Sequence, residues 1–175
     1  MSSITEFFID DGWDHQGRTL EEMLKWPDSS LEAVHDFIQW AFPLHEKSYH
    51  SLVSPVLTEE DIQILQSSPE ARQNMLKAYL RICKFLGLGL HEDEDRQKWW
   101  CHKGNHNNLR ITRIIRSLRL FGLEDTAKDF CGYLEELDDK FVIDDNTWKY
   151  WERAMNEDVM ESMSRKFLDD RRIDL

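Results

Sequence analysis

An all-α domain of roughly six to nine helices is the fold class this sequence predicts, and three observations predict it. Helix-start signals recur: Thr19 with Glu22, Ser29 with Glu32, Thr58, and Ser68-Pro69-Glu70 each precede an apolar-periodic run. Glycine (7) and proline (4) are scarce in 175 residues, which disfavours a turn-dense all-β fold. Apolar residues recur at spacings of three and four, and no stretch sustains the alternation of a half-buried strand.

In chain order, the Thr19–Glu22 capping box opens a helix over LEEMLKW. Ser29 and Glu32 open a second, LEAVHDFIQWAF, in which Leu31, Val34, Phe37, Ile38 and Phe42 share a face; Pro43 stops it. Thr58 opens the short helix TEEDIQILQ. The helix over 69–86 has proline at its first position and an acid in its first turn. Its inner face is Met75, Leu76, Tyr79, Cys83 and Leu86, and Gly87 supplies the left-handed end. HEDEDRQK (91–98) reads as a charged loop or a short helix start. Further helices follow over 108–121, ended by Gly122, and over 124–137. Asn146 caps NTWKYWERAM, and a last amphipathic stretch runs to about Leu168. Segments 52–57 and 140–144 are candidates for short extended pieces. With no internal repeat, low-complexity tract or linker, residues 1–175 read as a single domain.

Composition bounds the function. Hydrophobic residues make up 41% and aromatics 11%, enough for a substantial core. No apolar run approaches the roughly 18 residues of a membrane span, and the N-terminus has no basic, then apolar, leader pattern. Cys83, Cys101 and Cys131 are an odd number at wide spacings, which fits a reducing compartment. A net charge of −12 argues against nonspecific nucleic-acid binding by the whole surface.

Against that acidity, HNNLRITRIIRSLRLFGLE (106–124) carries four arginines at three-residue intervals, with no acid before Glu124. At about 100° per residue, Ile111, Ile114, Ile115, Leu118 and Phe121 form one apolar stripe. Arg110, Arg113, Arg116 and Arg119 sweep the opposite half. Two explanations stand. The arginines pair with acids of neighbouring helices and orient this one, or part of the face receives an anionic ligand or partner. A helix N-terminus offers unpaired N–H groups and partial positive charge. Asn107 or Asn108 would cap it, with Arg110 and Arg113 a turn further in.

Catalytic and metal signals are weak. Cys101, His102 and His106 are the nearest approach to a zinc set, but Gly104 and Asn105 interrupt them. The acid-rich groups Asp10, Asp11, Asp14 with His15, and Asp138, Asp139, Asp144, Asp145, read as solvated loop charge; neither has Ca²⁺-loop spacing. No phosphate loop, nucleophile elbow or dinucleotide fingerprint is present. Cys101, near Lys98 and Lys103, is a candidate thiol without an assignable base. The expectation is therefore no enzyme, no cofactor and no metal.

Segments 106–124 and FIQWAFPL (37–44) resemble the hallmark segments of the opioid growth factor receptor conserved-domain family. DHQGRTLEE (14–22) and SSPEARQNMLKAYLRICKFLGLGL (67–90) fall in matching order, so the resemblance covers about 14–125; 126–175 reads as a helical extension of the same domain. The resemblance implies an all-helical domain and a receptor-like role. Animal members are described as receptors for the enkephalin pentapeptide, associated with the nucleus, its envelope and membranes. The chain stops soon after the domain, which reads as a free-standing microbial member, expected in the cytoplasm. His106, Asn107, Asn108, Arg110, Thr112 and Arg113, with Gln39 and Trp40, stand at the family motifs.

These readings converge on a noncovalent site at the amino end of the 108–121 helix. It would comprise His106, Asn107, Asn108, Arg110, Arg113 and Arg116, with Trp40 or one of Trp99 and Trp100 as an apolar wall. The expected partner is a peptide carboxylate or an acidic protein segment. One alternative is nucleic acid on the basic helices 69–86 and 108–121; another is an enzyme of unrecognised type.

Overall fold

The computed structural model describes residues 1–48 and 52–159. Among them the protein is all-α, with ten α-helices and a single isolated bridge, Leu44 to Val56, where segment 52–57 was expected to extend. The helices are α1 (Ser3–Ile9), α2 (Leu20–Leu24), α3 (Asp28–Ala33), α4 (Phe37–Ala41), α5 (Glu59–Ser67), α6 (Pro69–Leu86), α7 (Glu94–Trp100), α8 (Asn107–Leu120), α9 (Glu124–Asp138) and α10 (Asp145–Asn156). The stretch beyond Val159, where a last amphipathic run to Leu168 was expected, lies outside the described residues.

Most starts form where the sequence places them. Thr19 with Glu22 and Thr58 with Asp61 make complete capping boxes, and Ser68 caps α6 through the Ala71 amide. Gly87 closes α6 at φ 68°, with the Leu88 amide reaching back to Cys83 O. A Cβ there would sit 2.8 Å from Asp93 O, so both backbone and space require glycine. Asp93 caps α7, which resolves 91–98 as the entry to a helix.

The structure corrects four readings. Helix α1 was not anticipated. Ser2 caps it and also donates to Asp61 Oδ1 at 2.6 Å, while Ile4, Phe7 and Phe8 enter the core. The segment 31–42 is not one helix begun by Ser29. It is α3, entered from Pro27, and α4, separated by an extended Val34 (φ −89°, ψ 118°). Asp144, not Asn146, caps α10 by accepting from the Thr147 amide. Asp14 is not a solvated loop acid either. It is buried, and it accepts from the Gln16 and Arg18 amides and the Arg18 guanidinium. Burial raises its pKa, but those hydrogen bonds outweigh the burial and hold the carboxyl below its ordinary value.

The buried apolar residues form one connected cluster from Ile4 to Val159. Helix α6 packs on α1, α2, α5 and α7, while α8 packs on α9 and α10. So many short helices create many carbonyl ends, each with up to four acceptors lacking an intrahelical partner. Neighbouring side chains close these ends repeatedly. Asn74 donates to Phe8 O, Arg81 to Trp26 O, Gln66 to Leu120 O, Trp100 to Leu86 O and Gln97 to Gly87 O. This habit decides what the arginine helix does.

Candidate functional site: the arginine helix and its cleft

Helix α8 buries Ile111, Ile114, Ile115 and Leu118 completely, as its apolar stripe requires. The arginines opposite are also largely withdrawn from solvent, each for a different purpose. Arg110 is 7% exposed and donates through Nη1 to Leu31 O at 2.9 Å and to Asn107 Oδ1, and through Nη2 to Val34 O. It therefore holds the frayed end of α3, where the chain breaks, with its guanidinium also over the Phe37 ring. Arg113 donates to Phe42 O at 3.0 Å, just past α4, and Ser117 donates to Pro43 O beside it. Arg116 makes a two-pronged pair with Glu46 and a contact to Glu157 at 2.6 Å. Arg119 pairs with Glu124 and donates to Ala154 O and Glu157 O, closing the end of α10.

The electrostatics separate these four. Burial pushes Arg110 below its ordinary value, against the pull of Glu32. Burial and the neighbouring Arg116 push Arg113 down to about 10, opposed by Glu46. Burial acts downward on Arg116 too, but Glu46 and Glu157 more than compensate and raise it. Among the described residues neither Arg110 nor Arg113 makes an ion pair; Arg110 spreads its donors over three acceptors, whereas Arg113 takes a single carbonyl.

Arg113 and Arg110 line a cleft of about 330 Å³ with His106, His35, Gln39 and Leu109. Of the expected site residues it therefore gathers His106, Arg110 and Arg113. Asn107 is fully buried beneath, bonded to Arg110 and Glu32. Asn108 faces away and donates to His102 O, and Arg116 is held by its two glutamates. Neither asparagine caps α8: the N-cap position is His106, which makes no side-chain cap hydrogen bond, while Asn105 Oδ1, one residue earlier, accepts from the Asn107 amide at 2.9 Å. Trp40 belongs to the core, edge-on to Phe7, and Trp100 is fully buried, so the apolar walls come from Ile38 and Leu109 instead. His35 and Ile38 stand at the cleft beside the break between α3 and α4. Gln39 is 7% exposed, and its Oε1 has no hydrogen-bond partner among the described residues.

His106 Nε2 lies 3.1 Å from Glu32 Oε1, and its ring meets His35 edge-on at 5.2 Å. Burial, then the charge of Arg110, pulls its pKa below 6.5 despite Glu32. The sign follows. The unfolded chain takes the proton first, so this contribution to stability is present above pH 6.5 and is lost as pH falls through the folded value. An NMR titration of His106 should give a midpoint below 6.5, and His106→Gln should lessen the fall in urea midpoint over that acidic range.

Among the described residues no three of His, Cys, Asp and Glu are grouped to hold a metal ion. Burial pushes the Cys101 thiol up to about 11, with Asp138 adding to the shift, which is the wrong direction for a reactive thiolate. No helix of the described residues is long and apolar enough to cross a membrane.

The architecture defines an all-helical domain organised around one arginine-bearing helix. The chain belongs to the opioid growth factor receptor (OGFr) conserved region family, whose model matches residues 16–137. It is 37% identical over 124 residues to the mouse opioid growth factor receptor, covering 62% of this chain and 19% of that protein. The human receptor is 35% identical over 121 residues, covering 62% and 18%. Opioid growth factor receptor-like protein 1 of Xenopus tropicalis is 33% identical over 121 residues, covering 62% and 23%. The chain thus spans about a fifth of the length of these relatives. No solved structure matches it.

Proposed function

We propose that this domain is a noncovalent binding module that takes the anionic end of a peptide, or an acidic protein segment, in the Arg113 cleft. The observation that carries the reading is Arg113 itself, a guanidinium at a cleft wall with one carbonyl partner and no ion pair among the described residues. A carboxylate arriving there forms charge-assisted hydrogen bonds with a partly desolvated fork. Ile38 with exposed Leu109 accepts an apolar side chain. The name borne by the relatives, receptor, is consistent with such a role.

The nucleic-acid alternative loses ground for a geometric reason. Arg81, Arg110, Arg116 and Arg119 are committed to groups of this chain, which leaves Arg72, Lys77 and Lys84 on α6 rather than a two-helix basic surface.

Calorimetric titration with the enkephalin pentapeptide, as free acid and as C-terminal amide, and with a blocked oligoglutamate peptide tests the reading. At least one carboxylate-bearing probe should bind, with Arg113→Gln weakening it about tenfold or more, the equivalent of about 1.4 kcal/mol. If every probe binds Arg113→Gln as tightly as the parent, or none binds the folded parent, the proposal fails.

A further inference from the structure

We infer a second binding site, for a lysine or arginine side chain presented by a basic partner segment, in the groove between α3, the end of α6 and α7. This groove, of about 520 Å³, lies beside the Arg113 cleft and meets it at Glu32, which lines the groove and contacts His106 of the cleft. The site stands on its own residues and does not depend on what Arg113 binds.

The wall is aromatic. The Phe85 ring is buried, and the Trp99 indole meets it edge-on, centroids 5.9 Å apart at 84°. Trp99 is nonetheless 45% exposed, so a tryptophan is fixed in orientation while much of it remains open to solvent. Around it stand Asp28, Glu32, Asp93 and Asp95, with one cation, Arg96.

Existing ion pairs show which charges are spoken for. Asp28 is held by Arg81 at 2.8 Å and Arg96 at 2.6 Å, so that arginine is consumed within the wall. Glu32 contacts His106 and Asn107 but no lysine or arginine among the described residues. Asp93 caps α7 through the Arg96 amide and makes no ion pair among the described residues. The Asp95 side chain is 98% exposed, and its one ion-pair partner among the described residues is Lys98 at 3.9 Å. The groove therefore keeps an excess of carboxylate beside an indole.

An indole with surrounding carboxylates attracts an organic cation: the ring quadrupole draws the charge and the acids complete the neutralisation. A long basic side chain suits the shape, since its aliphatic stem can lie along Trp99 and Phe85 while its head reaches the acids. A small inorganic cation does not fit, because no three ligating groups converge among the described residues.

The test uses acetyl-(Arg-Gly)3-amide and its glutamine counterpart, both without terminal charge, titrated by calorimetry and by the Trp99 indole N–H signal in NMR spectra. The arginine peptide should bind at least about tenfold more tightly than the glutamine peptide. Trp99→Ala and Asp95→Lys should each weaken it about fivefold or more, while Asp125→Lys, the same charge change at a fully exposed position on α9, should leave it within about twofold. Asp95 is on the surface, so its variant decides the matter even if Trp99→Ala perturbs folding. The proposal is overturned if the two peptides bind alike, if Asp95→Lys binds as the parent does, or if Asp125→Lys weakens binding as much.

Discussion

Arg110→Ala should lower the stability of the domain by about 4 kcal/mol and the melting temperature by roughly 10 °C, measured by urea and thermal unfolding. The size follows from what is stranded. Leu31 O, Val34 O and Asn107 Oδ1 all accept from this one guanidinium in a largely dry setting. Each hydrogen bond from a charged donor is worth about 1.5–3 kcal/mol, and a buried acceptor left without a donor adds its own desolvation cost. The cation also sits at the negative end of α3, where positive charge is favoured. Arg110→Lys should recover only part of the loss, because an ammonium cannot present the planar fork that reaches two carbonyls on separate residues. If the alanine variant unfolds within about 1 kcal/mol of the parent, the account of how α3 is held is wrong.

Trp100→Ala is expected to cost about 5 kcal/mol. The side chain is fully buried, and its indole N–H donates to Leu86 O at 2.9 Å, so the variant both opens a cavity and orphans the end of α6. Trp100→Phe separates the two effects. It keeps most of the packing and should lose about 1–2 kcal/mol for the missing donor. A marginally stable domain has only about 5–15 kcal/mol to lose, so the alanine variant is expected to be partly unfolded at 37 °C.

The all-helical class and most helix starts were legible because they rest on local chemistry: Thr19, Thr58 and Ser68 cap within three residues of themselves. Helix α1 was legible too, in Ser2 followed by Ile4, Phe7 and Phe8. The break at Val34 was not. Leu31, Val34, Phe37, Ile38 and Phe42 fit an uninterrupted helix, and no proline or glycine punctuates the run. What favours the break is Arg110, seventy-six residues beyond Val34, taking the carbonyls the break exposes. The same distance effect hid the fate of the arginines. Their sweep around α8 was readable, and the expected pairing with acids holds for Arg116 and Arg119, but Arg110, Arg113 and Arg119 also take backbone oxygens whose positions exist only once α3, α4 and α10 have formed. The candidate cleft was accordingly half visible: the motif supplied His106, Arg110 and Arg113, whereas His35, Ile38 and Leu109 join them through the fold.

The Arg119 contacts to Ala154 O and Glu157 O, together with Arg116 on Glu157, place the far limit of the cooperative unit well beyond the stretch that family members share. A fragment cut at residue 137 would keep every recognisable motif yet leave two guanidinium groups facing vacated positions and the α8 flank uncovered where Trp151 packs. Sequence kinship and the length of chain that must fold together are therefore different quantities in this domain, and the second is the longer.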